Sequence, residues 1–127
     1  MIASPAYMRT SLIAVVGPTA SGKSARAIQL AQERTGEVIS VDSRQVYRTL
    51  DIGTEKLSTA EMQGVPHHLI DIREPEDTYS AGDFVSDATR LIADIQARGK
   101  TPILAGGTHF YFDALLYGLP HSERDPV

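Results

Sequence analysis

The sequence predicts an α/β fold, a parallel β-sheet with helices on both of its faces. Short apolar segments of strand length alternate along the chain with longer segments whose apolar residues recur at helical spacing. This alternation is the pattern of right-handed βαβ units. With 127 residues, 42% hydrophobic and 22% charged content, the chain is long enough for one domain with one core.

The first half of the chain contains two predicted strands around one predicted helix. The apolar run Ser11–Val16 indicates a buried parallel strand rather than an alternating edge strand. An apolar stripe predicts a helix over Gly22–Arg34, which Gly36 would stop. Glu37–Asp42 is the second predicted strand, and a short helical turn is expected over Gln45–Leu50.

The second half is predicted to hold a loop, two strands and two helices. Ser80 and Asp83 have the spacing of a capping box at the start of a helix. In order, the elements are a loop over Asp51–Pro66 with one turn at Thr59–Gln63, a strand over His68–Ile72, a helix over Ser80–Gly99, a strand over Thr101–Ala105 and a helix that follows Gly106-Gly107-Thr108 through Tyr117. We therefore expect an N-terminal extension over 1–11, a core over 12–118 and a tail over 119–127.

Composition excludes several classes of protein. The chain has no cysteine, so it has neither disulfides nor thiolate metal sites, and a reducing compartment is compatible. No apolar run approaches the roughly 18 residues of a membrane span, and no signal-peptide pattern occurs, so the expected location is the cytoplasm. The net charge of −4 predicts little intrinsic affinity for a nucleic-acid backbone.

A glycine-rich segment between the first strand and the first helix has the pattern of a phosphate-binding P-loop. Such a loop directs backbone N–H groups at an anion, at the positive end of a helix dipole. Lys23 would add a charge for the terminal phosphate oxygens, and Ser24 a hydroxyl for Mg²⁺. The predicted phosphate site is Gly17, Pro18, Thr19, Ala20, Ser21, Gly22, Lys23 and Ser24. The fold class is therefore a P-loop NTPase-like sheet.

Two polar residues follow the other strands at the edge where open α/β sheets bind ligands. Asp42 follows the second strand, and its type fits a magnesium ligand, a general base or a helix N-cap equally. Thr108 follows the last strand and also fits an N-cap, although the preceding glycine pair would allow a close approach of backbone to ligand.

Other polar and aromatic groups favour structural roles. His67 and His68 are neighbours on a strand and point to opposite faces, so we expect one packed and one exposed histidine rather than a metal site. The acidic residues between 71 and 77 are expected to lie in a solvated loop. Five aromatic residues are expected in the core or in a groove wall: Tyr47, Tyr79, Phe84, Tyr111 and Phe112.

Six segments together resemble the tRNA dimethylallyltransferases, also called isopentenyl-diphosphate:tRNA transferases. They occur in the order and spacing of that family and cover residues from about 12 to 120. These segments are Gly17–Ser24, Asp42–Tyr47, Asp51–Thr54, Gly64–Asp71, Tyr79–Phe84 and Gly106–Thr108. The sequence departs from the family's usual residues at Arg44 and at His109-Phe110. Family members are more than twice as long, so we expect an inserted tRNA-binding helical domain and a C-terminal part that this chain lacks.

The resemblance implies that a dimethylallyl group passes from its diphosphate to N6 of an adenosine beside the tRNA anticodon. The P-loop and Mg²⁺ would hold the leaving diphosphate, with Ser24 as the metal ligand. Asp42 would be the general base, and Thr108 would donate to the leaving oxygen. The residues implied to contact tRNA are Asp42, Ser43, Arg44, Gln45 and Thr108.

Two alternatives stay open at this point. A P-loop kinase of a small metabolite or nucleotide would bind ATP through the same loop, although the sequence has no cluster of arginines for a lid. The chain could also be an incomplete, inactive portion that binds diphosphate without catalysis. We expect a monomer without membrane association.

Overall fold

The computed structural model describes residues 12–16, 22–48 and 57–118. Within these ranges, four strands form one parallel sheet in the order β1-β4-β2-β3. The strands are β1 (Ile13–Val16), β2 (Gly36–Val41), β3 (His67–His68) and β4 (Thr101–Gly106). The helices are α1 (Lys23–Arg34), α2 (Ala81–Ala97) and α3 (His109–Tyr117). The predicted parallel sheet is thus confirmed.

Helices cover both faces of the sheet, because successive strand residues point to opposite sides. On one face, Ala27 and Ile28 of α1 pack against Val38 and Ile103. On the other face, residues of α2 and α3 pack against the alternate strand residues Ile39, Val41 and Leu104. Four of the five aromatic residues assigned to the core are buried there, and Tyr47 packs against the same cluster.

The prediction of a fully buried first strand is wrong. β1 is the outermost strand of the described sheet, and it pairs there with β4. Its residues alternate between half-buried and exposed, and Val16 retains 47% of its accessible surface. Val16 and its neighbours therefore resemble an edge strand, although the apolar sequence alone indicates a central one.

Gly36 does not stop α1 as predicted. Thr35 takes the left-handed conformation at the helix end, with φ of 53°. Gly36 instead opens β2, where an added Cβ would lie 2.5 Å from the carbonyl oxygen of Thr101. The glycine is therefore required by the close approach of β2 to β4.

The predicted third strand is shorter than expected, since β3 contains only His67 and His68. Leu69 and Asp71 have positive φ values of 68° and 58°, which lie outside the β region of the backbone. The segment after β3 instead bonds to the loop after β2, where the N–H of Ile72 donates to Val46 O at 2.8 Å. The predicted helical turn at 45–50 is a turn over 43–46, and residues 49–56 lie outside the described ranges.

The long helix α2 begins as predicted. Ser80 Oγ accepts from the N–H of Asp83 at 3.0 Å, and Asp83 Oδ2 accepts from the N–H of Ser80 at 2.9 Å, so the capping box is complete. The turn predicted at Thr59–Gln63 is also present. No helix within the described ranges is both long and apolar enough to cross a membrane.

An ionic cluster around the buried Glu37 joins the start of β2 to β3 and to the end of α2. The Glu37 side chain is only 4% exposed, and the guanidinium of Arg98 donates to both of its oxygens, at 2.5 and 3.0 Å. His68 Nε2 donates to the same carboxylate at 2.7 Å, and Lys100 Nζ lies 3.7 Å away. The expectation of one packed and one exposed histidine is wrong, because both are half-buried and both have partners.

Candidate functional site

The carboxyl ends of three strands meet at one edge of the sheet. Val16 and Val41 are both in register with Gly106, so the residues that follow β1, β2 and β4 leave the sheet side by side. An added Cβ on Gly106 would lie 2.1 Å from the carbonyl oxygen of Val41. Gly106, the first glycine of the pair before Thr108, is therefore required by the close approach of β2 and β4, and the approach of a ligand to this pair stays a prediction.

Thr108 is bonded to the loop after β2. Its N–H donates to Val41 O at 3.2 Å, and its Oγ1 accepts from the N–H of Ser43 at 3.0 Å. The residue occupies the N-cap position of α3, but its side chain makes no capping hydrogen bond to that helix. The N-cap interpretation is therefore wrong for the side chain, which joins two strand ends instead.

Asp42 caps the turn that follows it. Its Oδ1 accepts from the N–H of Arg44 at 2.8 Å and from the N–H of Gln45 at 3.3 Å. The side chain of Arg44 is 55% exposed, with Nε 4.0 Å from the same oxygen, and that of Asp42 is 15% exposed. These contacts fix the carboxylate in one orientation at the start of the loop whose Ser43 N–H donates to Thr108, so the capping role and a chemical role are compatible.

Gln45 is held by its side chain and by its main chain. Ser40, which is only 4% exposed on β2, donates its hydroxyl to Gln45 Oε1 at 2.8 Å. The N–H of Asp71 donates to the carbonyl oxygen of Gln45 at 2.8 Å. Sequence reasoning missed Ser40, although a lone hydroxyl in an otherwise apolar stretch of β2 (Val38–Val41) was the available signal.

The N-terminus of α1 brings part of the predicted phosphate site to this edge. Gly22 is the N-cap residue with φ of 82°, a conformation that favours glycine, and Lys23 and Ser24 form the first turn. The predicted phosphate ligands Gly17, Pro18, Thr19, Ala20 and Ser21 lie outside the described residues. Lys23 and Ser24 thus lie at the positive end of the helix dipole of α1, and their binding of phosphate and metal stays a prediction.

A cavity of about 30 Å³ lies between α1 and the sheet. Its polar lining comes from Ser24, Ser40, Gln45 and His67. Burial lowers the pKa of His67, whose Nδ1 donates to Val65 O at 2.8 Å. The cavity has the volume of one or two water molecules. It lies between the first turn of α1 and Gln45, the residue to which Ser40 donates.

The residues that depart from the expected family pattern lie on the surface. His109 and Phe110 open α3, and both are exposed, so the larger side chains meet no packing constraint there. Among residues 12–16, 22–48 and 57–118, no group of three His, Asp or Glu side chains could hold a metal ion.

Comparison with known proteins decides the family. The model of the IPP transferase family matches residues 45–126, which is more than half of the chain. The chain belongs to this family. The resemblance to tRNA dimethylallyltransferases that the six segments predict is thereby confirmed.

The family relatives are similar over nearly the whole of this chain. A tRNA dimethylallyltransferase from Stenotrophomonas maltophilia (strain K279a) is 62% identical over 120 residues, which is 94% of this chain and 38% of that protein. One from Streptococcus mutans is 60% identical over 111 residues, 87% of this chain and 38% of that protein. This chain therefore spans well under half of these IPP transferase relatives.

Solved structures of the family share the fold. A tRNA delta(2)-isopentenylpyrophosphate transferase from Staphylococcus epidermidis superimposes with a TM-score of 0.84 at 50% identity, over 88% of this chain and 36% of that one. A eukaryotic dimethylallyltransferase acting on tRNA gives the same TM-score at 38% identity, over 91% and 29%. The P-loop NTPase-like architecture predicted from the sequence is confirmed by these neighbours.

Proposed function

We propose that this chain holds the two reacting groups of a tRNA dimethylallyltransferase, the donor diphosphate and the acceptor adenosine. The observation that carries the proposal is the hydrogen bond from the N–H of Ser43, the residue after Asp42, to Thr108 Oγ1 at the sheet edge where α1 begins. A base and a hydroxyl fixed beside a helix N-terminus suit a reaction in which one substrate loses a proton and the other releases an anion.

The proposed reaction forms a bond between adenosine N6 and C1 of the dimethylallyl group and breaks the bond between C1 and the diphosphate oxygen. Asp42 takes the proton that N6 loses. Its Oδ1 accepts from two N–H groups of the turn, which holds the carboxylate in one orientation for this role. The electron pair of the broken bond leaves with the diphosphate. Positioned bases of this kind contribute roughly 10²–10⁴-fold to a rate.

The leaving diphosphate is proposed to bind at the N-terminus of α1. Lys23 and the first-turn N–H groups would bind its oxygens, and Thr108 would donate its hydroxyl hydrogen to the oxygen released from C1. Thr108 Oγ1 accepts from Ser43, so its single O–H donor can be directed at a ligand.

Mg²⁺ is proposed as the cofactor. The donor set fits this ion, since Mg²⁺ is held in proteins by one or two side chains together with substrate phosphates and water, without a full protein cage. Ser24, half-buried in the first turn of α1, would be its protein ligand. When bound, the ion would neutralise charge on the departing diphosphate.

The acceptor nucleotide is proposed to contact the loop after β2 through Ser43, Arg44 and Gln45. With a net charge of −4, this chain supplies little affinity for a phosphate backbone. We propose that most of the tRNA grip comes from the portion of family-length proteins that this chain does not cover. A cytoplasmic, monomeric protein without membrane association is part of the same proposal.

The experiment measures transfer from dimethylallyl diphosphate to an anticodon stem-loop under single-turnover conditions. It uses this chain and a chimera in which the chain replaces the matching segment of the Stenotrophomonas maltophilia relative. Asp42→Asn keeps an oxygen that accepts from the turn N–H groups but is not a base, whereas Asp42→Ala loses both roles. Both variants should be slowed roughly 10²–10⁴-fold with donor affinity intact. The exposed Asp113→Asn is the matched control, and near wild-type transfer by Asp42→Asn would exclude the base.

A further inference from the structure

Ser40 is a buried polar residue that has no part in the proposed reaction. It lies on β2 among apolar neighbours and is 4% exposed. A buried hydroxyl is costly unless it is hydrogen-bonded, and within the described structure its partner is Gln45 Oε1 at 2.8 Å. The bond therefore joins the core of the sheet directly to the loop that is proposed to contact the nucleotide.

We propose that Ser40 is a positioning residue that sets the orientation of the Gln45 carboxamide for recognition of the adenine ring. This inference rests on the proposed function, since it assigns a role within the same site. A carboxamide can present either its oxygen or its NH₂ group to a ligand. Because Oε1 accepts from Ser40, the NH₂ group lies on the opposite side of Cδ.

The orientation matters because adenine presents ring-nitrogen acceptors, such as N7 beside the reacting N6 amine. An NH₂ group can donate to such an acceptor, whereas the carboxamide oxygen would repel it. The backbone of Gln45 is fixed as well, since its carbonyl accepts from the Asp71 N–H at 2.8 Å. The Ser40 hydroxyl therefore acts on the side-chain amide of Gln45 and not on its backbone.

A double-mutant cycle separates positioning from a general structural effect. Ser40→Ala removes the hydroxyl oxygen without adding atoms to the core, and Gln45→Met removes the carboxamide while keeping the length of the side chain. In the chimera, Ser40→Ala should raise the KM for the stem-loop about five-fold, which is the effect of one ordinary hydrogen bond. The KM for dimethylallyl diphosphate should stay unchanged, and Ser40→Ala should have no further effect in the Gln45→Met background.

The hydrogen bond itself is tested in the 127-residue chain by NMR. The side-chain NH₂ signals of Gln45 are identified by their loss in Gln45→Met, and they should shift in Ser40→Ala but not in the exposed control Ser86→Ala. Unmoved signals would overturn the proposal. So would an equal rise in both KM values, or the same effect of Ser40→Ala in both backgrounds.

Failure of the proposed function gives a different result. If the wild-type chimera binds the stem-loop but transfers no dimethylallyl group, the transferase proposal fails. The cycle is then read from the dissociation constant of the stem-loop, with the same five-fold expectation. If the wild-type chimera does not bind the stem-loop at all, the role assigned to Ser40 is also refuted.

Discussion

Replacing Glu37 by glutamine removes the charge from the ionic cluster that joins β2, β3 and the end of α2. The carboxylate is 4% exposed and accepts two bonds from Arg98 and one from His68. Hydrogen bonding to Arg98 is the main reason that the pKa of Glu37 falls from its ordinary value of 4.5 to about 2, while burial opposes the shift and His68 reinforces it. This difference corresponds to about 3 kcal/mol of unfolding free energy at neutral pH.

The sign of the pH dependence follows from the lowered pKa. The stabilisation by Glu37 is fully present above the pKa of the unfolded chain, near 4.5, and it is lost as the pH falls towards the folded value of about 2. Glu37→Gln should therefore lower the free energy of unfolding by about 3 kcal/mol at pH 7 and by roughly half as much at pH 3.

Urea unfolding of the 127-residue chain, followed by circular dichroism at both pH values, measures this difference. Glu33→Gln is the matched control, because Glu33 is exposed on α1, where it accepts a hydrogen bond from Gln29. The control should change the free energy by less than about 0.5 kcal/mol. A loss below about 1 kcal/mol for Glu37→Gln at pH 7, or an equal loss at pH 7 and pH 3, would refute the reasoning.

Three further variants test single contacts. Thr108→Ala should slow transfer by the chimera about 10²-fold with little change in donor affinity, and Thr108→Ser should retain activity; a change in affinity alone would move the residue to a binding role. Gly106→Ala should destabilise the chain by about 3 kcal/mol in urea unfolding, because its Cβ would overlap the carbonyl at the end of β2. Gly99→Ala, with open space around it, should cost only about 1 kcal/mol. Equal costs would contradict the packing argument. Ser80→Ala should cost about 1 kcal/mol by removing the capping box, and Ser86→Ala on the same helix should be neutral.

The sequence predicts the alternation of strands and helices because local periodicity determines it. Helix α2, for example, combines a capping box at Ser80 with apolar residues at helical spacing, and both signals lie within the helix itself. The end of β3 was not predictable in this way. His68–Ile72 has the composition of a strand, but the backbone of Leu69 and Asp71 turns to meet the loop after β2.

Part of the candidate site could also be predicted from local sequence, whereas its long-range contacts could not. Asp42 and Thr108 could be placed at the same edge of the sheet from the sequence, since the carboxyl ends of parallel strands share one edge. That β2 and β4 are neighbours is known only from the structure. The bond from the Ser43 N–H to Thr108 joins residues 65 positions apart, and no local pattern indicates it. The Glu37–Arg98 pair spans 61 positions and was missed for the same reason.

The proposed reaction occurs at carbon and not at phosphorus, because the phosphate site would hold the leaving group. The most direct measurement uses dimethylallyl diphosphate with a heavy-oxygen label at the oxygen that bridges C1 and phosphorus. After transfer to the stem-loop by the chimera, mass spectrometry should find the label in the released diphosphate and the dimethylallyl group on adenosine N6. Label in a released prenyl alcohol, or phosphate transfer to an acceptor when ATP is the donor, would contradict the account.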